Sequence, residues 1–195
     1  MTLLERIHTD LARRYHDKPH RLAHVLGVRD TALHLANLYG GDESVIQLAA
    51  LLHDITKYED IASHRQWIDR HHPDPEGIYR SYPMTLWHAF SASAYAHIEY
   101  GITDERVLEA IEHHTVGAPA MCQEAAILFL ADYIEPNRTY SSCVKVRAIA
   151  ETDFVRAIFT AMDDTIRFHE QEGATIPEIA YDARTYYQTR LEESL

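Results

Sequence analysis

The chain has 195 residues, a length that suits one domain and is short for two full cores. Apolar residues make up 46% and charged residues 25%, the balance of a globular chain and not of a disordered one. Thirty acids against 18 bases give a net charge of −12, which excludes the basic face of a nucleic-acid binder. Histidine, at 14, is twice as numerous as glycine or proline, and it is the composition's pointer to chemistry.

Apolar residues recur at helical spacing along the whole chain, and no period-2 strand, repeat or Gly/Ser linker interrupts them. Residues 2–16 read as a first helix. Its MTLLERIHTD start carries charges where a signal peptide has its apolar stretch. Residues 19–39 form a second, stopped by Gly40-Gly41. Asp42 or Ser44 caps a third that runs to about Tyr58. A shorter helix follows over 60–71, and 72–84 (HPDPEGIYRSYPM) reads as a loop. Further helices fit 86–100, 104–115, 121–135, 143–172 with one break, and 178–192. The longest apolar run, Ala125 to Ala131, is too short for a bilayer. Cys122 and Cys143 make neither a disulfide framework nor a zinc-type pair. The expectation is one all-α bundle over 1–195, cytoplasmic and without membrane contact.

Polar residues break into the apolar stripes at particular places. His24 shares a face with Val28, Thr31 and Leu35. Ile46, Ala50, His53 and Lys57 share another, with Asp54 next to His53. His88 opens a face through Ala92 and Tyr95. His114 follows Val107 and Ile111, and Asp132 follows Met121, Ala125 and Leu128. A lone histidine on an apolar face is ordinarily a hydrogen-bonded core residue. Asp132, after AAILFLA, is harder to place, because a buried carboxylate needs a cation, a metal or a proton. Arg138 or Lys57 is the plain partner; one or two metal ions held by imidazoles and carboxylates answer better. His8, His16, His64, His71, His72 and His169 read as lying on polar faces or in loops. His20, His34, His97 and His113 turn away from the stripes.

The order His24 … His53-Asp54 … Asp132 resembles the HD-domain metal-dependent phosphohydrolases. The surrounding text, HRLAHVLGVRDTALHLANLYG, IQLAALLHDITKY, LWHAFSASAYAHIEYGITDERVLEAIEHHTVG and ILFLADYIEPNR, is similar to their bacterial YqeK-type branch, the symmetrical diadenosine tetraphosphate hydrolases. The resemblance implies an all-α HD-domain helical bundle with a dinuclear metal centre. Its ions would be divalent or mixed-valence, usually iron, with manganese, cobalt or zinc as alternatives. By matching motif the ligands would be His24, His53, Asp54, His88, His114 and Asp132. Asp54 and Lys57 would be catalytic, while Lys57, His114, Thr115 and Arg138 would meet the substrate. The implied reaction cleaves diadenosine tetraphosphate into two ADP. A bound metal ion lowers a water pKa to about 7, and a pair can hold nucleophile and phosphate together. Local metal charge would also let an acidic chain accept a polyanion. Ala89 stands where the family often has glycine, and HTVG where HTTG is common; both bear on nucleotide packing, near Ala89 and Val116. The alternatives are another HD nucleotide phosphohydrolase, acting on a nucleoside mono- or triphosphate or a cyclic nucleotide, or a non-catalytic nucleotide sensor. The expected partner is a small nucleotide and not nucleic acid, with a homodimer left open.

Overall fold

The computed structural model describes residues 1–193; Ser194 and Leu195, the end of the expected 1–195 domain, lie outside the described residues. Among those described there are eleven α-helices and no strand, as an all-α bundle requires. They are α1 (Leu3–Arg14), α2 (Pro19–Tyr39), α3 (Glu43–Leu52), α4 (Ile61–His71), α5 (Pro75–Ser81), α6 (Trp87–Tyr100), α7 (Glu105–His113), α8 (Gln123–Ile134), α9 (Ser141–Ala150), α10 (Phe154–Gln171) and α11 (Glu178–Glu192). None is long and apolar enough to cross a membrane.

Helix α8 is the axis. Ala125 to Ala131 are all buried, so the helix is apolar on every side, and α2, α3, α7, α9 and α10 pack around it. Small residues let α6 sink almost whole into the bundle: Ala89, Ala92 and Ala96 are fully covered. Asp42 caps α3 by accepting from the Ser44 and Val45 amides, and Glu124 of α8 accepts from the Asp42 amide at 2.9 Å, which fixes where α3 starts. At the turn after α7, Gly117 has φ +71°, and a Cβ there would stand 2.5 Å from Met162 Cε of α10. The left-handed φ is what calls for glycine, and the nearby end of Met162 adds to it.

Two expected elements differ. The third helix stops at Leu52 and not near Tyr58. Residues 53–58 tighten into turns whose amides bond three residues back, Ile55 to Leu52, Lys57 to Asp54 and Glu59 to Thr56. The buried Tyr15 hydroxyl donates to the Asp54 carbonyl at 2.6 Å and so pins this turn to the end of α1. The stretch 72–84 is not all loop. Pro75 sits at the first turn of α5, where its missing N–H costs nothing, Asp74 caps it onto Gly77, and Ile78 is buried with Ile68, Trp87 and Phe90. The break in 143–172 falls at 151–153, with Asp153 capping α10. Tyr15→Phe should lower stability by about 0.5–1.5 kcal/mol, the worth of one hydrogen bond. Urea denaturation measures it, and an unchanged midpoint would mean that the pin does nothing.

Candidate metal centre

Five segments bring their polar residues to one place. His24 comes from the second turn of α2, His53 and Asp54 from the end of α3, His88 from the first turn of α6, His114 from just past α7, and Asp132 from α8. His24, His53, Asp54, His88 and His114 are all buried, and Asp132 is nearly so. The ligand atoms of His24, His53 and Asp132 lie within 4.8 Å of one another, as do those of His53, Asp54 and His114. His88 joins through Nε2, 3.4 Å from Asp54 Oδ1 and 3.3 Å from His114 Nε2.

The ring orientations are the telling feature. His53, His88 and His114 each turn Nδ1 to the backbone carbonyl three residues earlier, Ala50, Thr85 and Ile111, at 2.7–2.9 Å. A carbonyl only accepts, so Nδ1 carries the proton and Nε2 keeps its lone pair for the centre. His24 Nδ1 is held instead by Glu135 Oε1 at 3.1 Å. Burial pushes the His53 ring down to about 4 and holds His88 well below the ordinary histidine range, so both are neutral at pH 7. Burial also favours neutral His24, but the Asp132 carboxylate, with Glu135 and Asp54, raises it overall. Asp54 stays far below the usual carboxylate range: burial pulls it up, and His53, His114, Lys57 and His88 outweigh that.

Three of the converging atoms are left unsatisfied. His24 Nε2 stands 3.1 Å from Asp132 Oδ1, yet it makes no aligned hydrogen bond. His53 Nε2 and Asp54 Oδ1 are likewise buried and without a hydrogen-bond partner. Buried lone pairs aimed at one another are costly unless a cation lies among them. The donor set of imidazole nitrogen and carboxylate oxygen fits a transition-metal ion.

Above the cluster opens a cleft of about 800 Å³ that includes Lys57, His88, His114, Thr115, Asp132 and Arg138 in its wall. All expected site residues thus meet there or directly beneath it. Lys57 lies on the turn after α3 with Nζ 2.9 Å from His88 Nε2 and 3.7 Å from Asp54 Oδ1. Arg138, expected to meet the substrate, stands in the cleft wall, and it is the partner of Asp132, at 2.9 Å. Val116 lines an apolar recess beside the cleft, but Ala89 is fully buried and reaches no nucleotide directly. His64, expected on a polar face, is buried, with Nδ1 2.8 Å from Ser91 Oγ.

Two residues escaped the sequence reading. Arg21 contacts Asp54 Oδ2 at 2.6 Å, and Glu135 holds His24. Each extends a stripe already drawn by one helical step, Arg21 before His24 and Glu135 after Asp132, so periodicity carried the signal.

Residues 21–137 match the HD domain family. The chain is 40% identical over 179 residues to the symmetrical bis(5'-nucleosyl)-tetraphosphatase of Halalkalibacterium halodurans, covering 91% of this chain and 93% of that one. It is 36% identical over 149 residues to the protein of the same name from Bacillus subtilis, with coverage of 76% and 79%. The Staphylococcus aureus protein of that name is 34% identical, with 86% of each chain covered. A crystal structure from Clostridium acetobutylicum, described as a predicted HD superfamily hydrolase involved in NAD metabolism, superposes with a TM-score of 0.85. It shares 31% identity, over 96% of this chain and 97% of that one.

Proposed function

The chain belongs to the HD domain family, and from that premise we propose a metal-dependent hydrolase that cleaves diadenosine tetraphosphate symmetrically into two ADP. The observation that carries this is the set of four imidazoles, each tied at Nδ1, presenting Nε2 to two carboxylates at the foot of a cleft. The relatives' shared name supplies the substrate. We read 1–195 as one HD-type domain acting in the cytoplasm on a small nucleotide; a net charge of −12 disfavours nucleic acid.

His24, His53, Asp54, His88, His114 and Asp132 would hold two transition-metal ions, with iron the first candidate and manganese, cobalt or zinc compatible with the same donors. When bound, such ions supply positive charge for phosphoryl oxygens and an acidified water. The chain's own residues do the rest. Lys57 Nζ, at the cleft wall beside His88, offers an ammonium to the phosphate chain. Arg138, beside Asp132 in the same wall, offers a guanidinium. Thr115 and His114 border the same space. Tyr140 and Phe168, both largely exposed, line the cleft mouth where a purine can stack. A volume of about 800 Å³ suits a ligand larger than a mononucleotide.

Chromatography after incubating metal-loaded protein with diadenosine tetraphosphate tests the reaction. ADP alone is the expected product; ATP with AMP would refute symmetrical cleavage, and intact substrate would refute the activity. Metal should also stabilise the fold, since it binds only the native cluster. At roughly 1,000 times Kd the linkage is about 4 kcal/mol, or about 8–16 °C in Tm for a chain of this size. Identical melting curves with and without chelator would exclude a native metal site.

A further inference from the structure

Glu135 ends α8 and is 1% exposed, yet it is not one of the six expected ligands. Its Oε1 faces Nδ1 of His24, the outer nitrogen, at 3.1 Å. Its Oε2 accepts from both the backbone N–H and the Nδ2 of Asn137, each at 2.8 Å. The turn is held in turn by Arg147, whose guanidinium donates to the carbonyls of Ile134, Glu135 and Arg138 at 2.6–3.0 Å. The other three imidazoles of the centre are oriented by carbonyls of their own helical segments. His24 alone of the four is oriented by a carboxylate, one that reaches it from 111 residues away in sequence.

Gly27 completes the arrangement. It sits inside α2, where glycine costs about 0.5–1 kcal/mol against alanine, and it has no positive φ that would call for glycine. Space explains it: a Cβ at Gly27 would lie 2.7 Å from Glu135 Oε2 and 3.2 Å from Asn137 Nδ2. A side chain there would push the carboxylate off His24.

We propose that Glu135 is a positioning residue that fixes the tautomer and rotamer of His24, so that Nε2 faces Asp132 as a metal donor, and that Gly27 provides the space it occupies. The inference rests on the metal-centre reading above. A carboxylate on the outer nitrogen of a ligating histidine typically changes metal affinity by about 10–100-fold. In Glu135→Gln the amide has one oxygen for three N–H donors: His24 Nδ1 and the two of Asn137. An amide nitrogen facing Nδ1 would shift the ring proton to Nε2, the donor position.

The test loads wild type, Glu135→Gln and Gly27→Ala with Co²⁺ alone, then follows release into excess chelator, the cobalt visible spectrum and the apo Tm. The expected result is about 10–100-fold faster release and an altered spectrum in both variants, with the apo Tm of Gly27→Ala no lower than wild type's by more than a few degrees. Should Glu135→Gln not fold, Gly27→Ala alone decides. Wild-type release and spectrum in the variants would overturn the positioning role and leave the metal centre standing, as would a lowered apo Tm with unchanged release. A wild type that takes up no cobalt would overturn the metal-centre reading and this inference with it.

Discussion

Asp54→Ala is expected to lose most bound metal and at least about a thousandfold in kcat/KM, roughly 4 kcal/mol of transition-state stabilisation. The size follows from where the carboxylate sits. Oδ1 lies 3.4–3.7 Å from the Nε2 atoms of His88 and His114 and from Lys57 Nζ. Oδ2 lies 2.6 Å from Arg21, 3.6 Å from His53 and 3.8 Å from His24. One side chain therefore faces all four imidazoles, and both halves of the cluster lose a donor with it. The fold should survive. Alanine removes a buried charge as well as its contacts, and Arg21, about one-fifth exposed, can turn its guanidinium to water. Asp54→Asn is the shape control, since it keeps the volume and an acceptor for Arg21 while losing the charge. Metal analysis and kinetics on the same preparations decide; a metal-replete, active Asp54→Ala protein would refute the centre.

Arg138→Ala is expected to cost about ten- to a hundredfold in kcat/KM, roughly 1.5–3 kcal/mol, with metal content unchanged. Arg138 lines the cleft with its side chain about one-third exposed and touches Asp132 through one terminal nitrogen, so the rest of the guanidinium keeps donor capacity for a phosphate. The backbone of its turn is held by Arg147 and by the Glu135–Asn137 contacts, so truncating Arg138 leaves the turn in place. Arg138→Lys should recover only part of the loss, because an ammonium cannot make the planar two-point contact. Were Arg138 merely the counter-charge of Asp132, a bound metal would take over that task. Turnover of the metal-loaded variant would then match wild type, and that result would exclude the phosphate role.

What was legible in the sequence was local. Helix type, the Gly40-Gly41 stop, the Asp42 cap and a single break somewhere within 143–172 follow from 3.6-residue periodicity and from residues that act on their own backbone. Five of the six expected ligands stood out for the same reason, as polar residues on otherwise apolar stripes that must face inward; Asp54 stood out by its place beside His53, and the ligand role of all six came from the family resemblance. Helix α5 was not legible, because Pro73, Pro75 and Gly77 look like loop punctuation until a partner for Ile78 exists. Nor was the stop of α3 at Leu52, which coincides with a turn that Tyr15 pins from 39 residues away. His64 looks like a solvated polar residue in the sequence, and periodicity turns Glu135 inward without naming its partner; Ser91 and His24 give them buried partners across 27 and 111 residues.

The sequence by itself therefore determined an all-α chain with ionisable groups on the inner faces of its helices, because helical periodicity decides what a stripe contains. Tertiary structure decided which nitrogen of each ring faces the centre, that Arg138 takes Asp132 while Lys57 stands against His88 and Asp54, and that Gly27 is a matter of space and not of backbone freedom. Those are properties of atoms brought within 3–4 Å from distant parts of the chain. Periodicity along a single helix says which face a residue is on, but not what stands across from it.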